Sequence, residues 1–334
     1  MPPIKGVAIL SGVNPRTLGR KLITEYSFVL SFILLVIIGA VINQNFFGWA
    51  NISNIFVQSC VIGLLALGQS MVISAGQIDI SVGSQVAFIG GFGVWVLNAT
   101  GSPWLMLLFC AVVGVAIGST NGLLVTKGGM PAMIATMAMM GACRSVVNQF
   151  GAGGPFTVDK TLYEGFRMIA VGGVNLGGFE IPYLMIIFIV AVVGFDVTMK
   201  HTRLGKHIYA VGSNETSARL SGVNVDLTKI ATFVITGLMC GIAAVLYASR
   251  TTAVAASSAA IGYELDSIAA VAIGGTAMTG GRGKIVGTFL GVLMFKIISN
   301  ILTAANVSTF LNGAISAAII VIAVLLQNFQ NRRR

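Results

Sequence analysis

The sequence predicts an all-α polytopic membrane protein, with about ten transmembrane helices in two related halves and broken or re-entrant helices near 76–84 and 260–280. Three observations predict this class. Hydrophobic residues make up 56% of the 334 and the mean hydropathy is +0.92, values that belong to membrane-embedded chains rather than to two soluble domains. The apolar residues fall in runs of about 18–24 without two-residue alternation, and a run of that length satisfies its own backbone in hydrocarbon only as a helix. Charged residues are just 9% of the chain and gather at the ends of the runs, so the net charge of +10 reflects topology rather than a nucleic-acid partner.

Taken in order, residues 1–25 form an N-terminal segment with Lys5, Arg16, Arg20 and Lys21 but without the apolar core of a cleaved signal. Residues 26–327 form the transmembrane domain, with apolar runs at about 26–43, 52–75, 83–97, 103–126, 130–150, 181–199, 228–249, 284–304 and 307–327. A basic tail, 328–334, ends in Arg332, Arg333 and Arg334. Basic residues at both termini place both in the cytoplasm, which demands an even number of crossings, one more than the apolar runs supply. The missing one is 258–280, whose small residues, Glu264 and Asp266 hide it from a hydropathy window. The longest external loop, about 151–180, reads either as a contact for an outer partner or as a glycine-rich connector with one amphipathic turn.

Between two apolar runs lies a charged island, Lys200 to Lys229, within which 200–227 forms a cytoplasmic loop. Lys200, Arg203, Lys206, Arg219 and Lys229 outnumber Glu215 and Asp226, and Gly205, Gly212 and Gly222 divide it into short pieces suited to a turn–helix–turn on the membrane surface. Such an element is where a soluble partner grips an embedded one.

Polar residues inside the spans mark candidate pathway positions. Asp79 and Ser81 sit in Gly76–Gly83, and Tyr263, Glu264 and Asp266 begin a second such element; aligning Asp79 with Asp266 suggests the two halves. A carboxylate in a span costs about 2.5–3.5 kcal/mol, so these acids need partners such as helix N-termini, hydroxyls, Arg144 or Lys296. They either cap and brace the broken helices or touch a passing solute. Asn54, Gln58 and Gln69 share one face of the second span, a neutral stripe that suits a hydroxyl-rich solute or ordinary interhelical hydrogen bonds. Met133, Met137, Met139 and Met140 read as packing, and Cys60, Cys110, Cys143 and Cys240, each alone in an apolar run, as small buried hydrophobes.

Several chemistries find no support. Gly283-Lys284 is followed by Ile285, not Ser or Thr, so the glycine-rich stretch fails the phosphate-loop pattern and supplies no ATP site. Both histidines, His201 and His207, lie in the charged island, leaving no metal site or catalytic triad in the spans. No enzyme activity and no cofactor are expected.

Three motifs, HTRLGKHIYAVGSNETSARLSGV at 201–223, GYELDSIAAVAIGGTAMTGGRG at 262–283 and GQIDISVGS at 76–84, closely resemble the ribose-type permease subunits of bacterial ATP-driven sugar importers. The resemblance runs from about 45 to 325 with the motifs in the family's order; Gln77 stands where members commonly carry glycine. It implies an inner-membrane permease for a small sugar, ribose-like or a related furanosyl compound, paired with a second permease, fed by a periplasmic or extracellular sugar-binding protein and driven by a cytoplasmic tandem ATPase. It also implies that Asn214 to Val223 is a coupling helix, with Asn214, Glu215, Ala218, Arg219 and Gly222 as ATPase-contact positions. The competing expectations are an ion-coupled secondary sugar transporter using Asp79, Glu264 or Asp266 as a proton or sodium relay, and a structural membrane scaffold.

Overall fold

A computed structural model of the chain describes residues 27–308, 314, 315 and 318. The N-terminal segment 1–25, most of the expected span 307–327 and the tail 328–334 lie outside the described residues. Helices dominate: α1 (Ser27–Ile42), α2 (Trp49–Ser74), α3 (Val82–Thr100), α4 (Pro103–Thr126) and α5 (Ala132–Phe150) run in succession. A loop region follows with β1 (Pro155–Thr157), α6 (Tyr163–Val171), β2 (Gly173–Leu176) and β3 (Phe179–Pro182). Then come α7 (Tyr183–His201), α8 (Arg203–Ser213), α9 (Glu215–Leu220), α10 (Val225–Thr251), β4 (Ala253–Ala255), α11 (Tyr263–Ile273) and α12 (Ile285–Ala304). Among the described residues six helices, α2, α3, α4, α7, α10 and α12, are long and apolar enough to cross a membrane. The helix α5 matches the expected run in length, but Thr136, Arg144, Asn148 and Gln149 dilute its apolar character.

The bundle is organised around α10, which packs along α4 and against α2 and α3. Glycines make the α4–α10 contact close. A Cβ on Gly114 would collide with the Gly237 carbonyl, one on Gly118 with the Phe233 carbonyl, and one on Gly241 with the Cys110 carbonyl. Small residues every fourth position let two backbones approach and gain dispersion contacts, the main source of helix association where apolar burial offers no advantage over lipid. All four cysteines are buried, Cys110 and Cys240 on these two helices and Cys60 and Cys143 on α2 and α5, as their isolated apolar settings predict.

The bundle has two ends. At one, β1 pairs antiparallel with β4, β2 with β3 in a hairpin, and Trp49 Nε1 donates to the Glu180 carbonyl at 2.9 Å. The loop expected at 151–180 is therefore structured, with a nine-residue amphipathic helix pinned by Ser249 Oγ, which donates to the Phe166 carbonyl. At the other end α8 and α9 form a foot against the ends of α2 and α7 and the start of α10.

Residues 75–81 join the two runs expected at 52–75 and 83–97, and α2, at 26 residues, and α3, at 19, are each long enough to cross alone. The joining residues form a connector that leaves the foot end and buries Ala75, Asp79 and Ser81, turning at Gly76, whose φ of +78° suits glycine. The segment 258–280, expected as a broken or re-entrant helix, holds α11, whose 11 residues give about 16 Å of helix against a hydrocarbon core of about 30 Å. The rest of the traverse is irregular. From β4 the chain descends beside α3, with Val254 against Gly90 and Ala260 against Gly83, then continues as α11 and reaches the foot at Gly280 and Gly281. Non-helical backbone at that depth is tolerated because protein surrounds it: Val254, Ala256, Ala259 and Ala260 are buried.

Candidate functional site

The N-termini of α3 and α11 meet inside the bundle. Glu264, in the first turn of α11, lies so close to Gly83, in the first turn of α3, that a Cβ there would strike its carboxylate. Its Oε1 accepts from the Gly262 amide at 3.3 Å. Amides at the start of a helix favour negative charge, and the Glu264 carboxylate lies at the start of its own helix and beside the first turn of α3.

Arg144 on α5 faces the same region. Its guanidinium donates to the Ala256 carbonyl at 3.1 Å and twice to the Ala259 carbonyl at 3.0 Å, filling the acceptors left by the irregular descent. Arg144 and Glu264 interact electrostatically yet form no direct ion pair. Both line a cavity of about 450 Å³ together with Ser84, Ser145, Asn148 and Ile261. Asn148 Oδ1 is buried there without a hydrogen-bond partner. Of this group the sequence singled out Glu264 as a pathway position and Arg144 only as a partner for acids. Ser84, Ser145 and Asn148 were missed, although Arg144, Ser145 and Asn148 at i, i+1 and i+4 form one polar face on a span, a legible signal.

Asp79 is placed quite differently. It is 0% exposed. The Ser81 amide and hydroxyl donate to its Oδ1 at 2.8 and 2.5 Å, and Asn121 Nδ2 to its Oδ2 at 3.4 Å. Gln69 Nε2 donates to the Asp79 carbonyl, Gln85 Nε2 donates to Ser81 Oγ, and Thr136 Oγ1 accepts from the Ile80 amide. Asp79, Ser81 and Gln69 thus belong to one buried network that shapes the connector. Asn54 and Gln58 are hydrogen-bonded to each other at 3.1 Å nearer the opposite end of α2, so the three expected stripe residues do not line a common space. Tyr263 packs edge-on against Tyr247, and Asp266 lies within electrostatic range of Lys296. Met133 and Met137, expected to pack, are exposed on α5.

In the foot, Asn214 caps α9, its Oδ1 accepting from the Ser217 amide at 2.8 Å. Glu215 pairs with Lys229 at 2.5 Å, and Asp226 with Lys127 at 2.8 Å and Arg219 at 3.4 Å, so the foot is laced to the start of α10 and, through Asp226, to the end of α4. Ala218 is only 4% exposed, packed with Val211 and Val225, and offers no side chain to a partner. The outward position is Leu220, 85% exposed, which the sequence reading passed over. Gly222 turns the chain back at φ +81°.

The foot touches both irregular segments through a joint of glycines. Gly212 has no room for a Cβ, which would strike the Ser74 carbonyl and the Gly281 amide; that amide donates to the same carbonyl at 2.9 Å. Tyr209 Oη donates to the Gly283 carbonyl at 2.9 Å, and burial beside the Asp196 carboxylate raises its phenol above the usual value, so it stays a donor at neutral pH.

Residues 51–324 match the family described as the permease component of branched-chain amino acid transport systems. The chain is 35% identical to the ribose import permease protein RbsC of Escherichia coli K12 over 93% of its length and 97% of that protein. It is 37% identical to RbsC of Bacillus subtilis over 89% of its length and 90% of that protein, and 31% identical to the galactose/methyl galactoside import permease protein MglC of E. coli K12 over 90% and 94%. The chain belongs to the ABC sugar permease family. Its six apolar helices and these relatives make it an integral inner-membrane protein. No solved structure gives a significant match.

Proposed function

We propose that this permease carries a small neutral sugar, ribose or a related monosaccharide, into the cytoplasm, driven by ATP hydrolysis on a separate subunit docked at the foot. The observation that carries the reading is identity spread over nearly the whole of a ribose import permease, while relatives acting on arabinose and galactose match almost as fully. The foot lies on the cytoplasmic side with both termini, the chain crosses ten times, counting the irregular segment and the run at 307–327, and a binding protein delivers sugar at the hairpin end. A second permease completes the pathway.

Coupling follows from the joint. An ATPase gripping Leu220, Arg219 and the α9 rim moves α8, and Gly212 passes that motion to the connector before α3 and to the loop after α11. The two helix starts flanking Glu264 then shift relative to each other. An ion relay at Asp79 is disfavoured by its full burial and by the Ser81 and Asn121 donors that hold its carboxylate.

Uptake of labelled ribose into proteoliposomes tests the proposal. Accumulation is expected only when the ATPase, enclosed ATP and binding protein are all present; accumulation by the chain alone on a proton or sodium gradient overturns it.

A further inference from the structure

We propose that the cavity between α5, α3 and α11 is a sugar-contact station, in which Arg144 and Glu264 are bridged by the hydroxyls of a neutral monosaccharide held also by Ser145 and Asn148. The inference rests on the reading of the chain as a sugar permease and assigns the residues that meet the solute. At about 450 Å³ the cavity falls within the range of small-molecule sites. One cation and one anion face it without pairing, so the lining has no net charge and disfavours an ionic ligand. Arg144 spends three donors on the Ala256 and Ala259 carbonyls and has others left, since a guanidinium carries five. Glu264 brings acceptors, Asn148 Oδ1 is a buried acceptor lacking a donor, and Ser145 is an exposed hydroxyl on the same helix face. A donor and an acceptor facing across a gap match a polyol, each of whose hydroxyls both donates and accepts. Contacts shared among so few groups are weak, which suits a station that must release its solute.

The test uses Ser145→Cys in the assembled importer, with uptake of labelled D-ribose, L-arabinose and D-galactose measured before and after a small methanethiosulfonate reagent. Folding is settled before labelling, and the four native cysteines are buried, so the unsubstituted protein is the insensitive control. Labelling is expected to cut uptake at least tenfold, with recovery after dithiothreitol. Asn148→Leu, similar in size, is expected to lower ribose uptake at least fivefold and to alter the ranking of the three sugars. Complete labelling with unchanged uptake, or an unchanged rate and ranking in Asn148→Leu, overturns the station while leaving the permease reading intact. Failure of the unsubstituted importer to take up any sugar overturns both.

Discussion

Two acidic residues stand at the starts of two helices, Asp79 before α3 and Glu264 in α11, and their surroundings differ in every respect that matters. Asp79 is fully buried, and two donors from Ser81 and one from Asn121 hold its carboxylate. Glu264 has one long bond from its own helix start and shares a cavity with Arg144, whose guanidinium is held by backbone carbonyls rather than by a carboxylate. Similar sequence settings thus serve opposite ends. A carboxylate with all its partners fixes backbone geometry, whereas one with spare acceptors beside a cavity is free to meet a solute.

That contrast can be broken first at Asp79. Asp79→Ala leaves buried donors on Ser81 and Asn121 unpaired, a loss of about 2–5 kcal/mol, and should sharply lower the yield and thermal midpoint of the detergent-purified protein. An unaltered midpoint would show the network to be dispensable. Next comes the joint: Gly212→Val has no space for its side chain and should abolish uptake, with ATPase stimulation by the binding protein lost in the same preparation. Glu264→Gln should lower ribose uptake about tenfold while moving the thermal midpoint little, since its single weak bond contributes on the order of 1 kcal/mol; a large midpoint shift would make Glu264 a brace like Asp79. At the foot, Leu220→Asp, Glu215→Ala and Arg219→Ala should weaken ATPase association, read by co-purification, without unfolding the bundle. Normal co-purification and uptake in all three would remove the foot from coupling. Smallest of all, Gln58→Leu should change stability by about 0.5 kcal/mol or less, in line with a single i,i+4 side-chain pair within one helix.

Much of the fold was legible because hydrocarbon imposes few solutions: apolar runs become helices, and each described span lies within a few residues of its run. The foot was legible from its charge and glycines. What sequence did not display was depth and direction. Asp79 and Glu264 look alike when written out, since nothing local says which one acquires Asn121 from α4, more than forty residues away, and which one faces Arg144 on α5. Ala218 and Leu220 carry the same difficulty: on a six-residue helix, small and large apolar residues two positions apart give no clue which is inward. The α4–α10 glycine seam spans over a hundred residues of chain, and its spacing becomes meaningful only once the two helices are known to touch.

That seam has a kinetic consequence. Two helices joined backbone to backbone cannot slide without passing through collision, so α4 and α10 are expected to move as one stiff keel during transport. Probe distances between residues near 114 and 237 should hold constant between resting and nucleotide-trapped complexes, and all the lengthening and shortening should be found where α3, α5 and α11 swing about that fixed line.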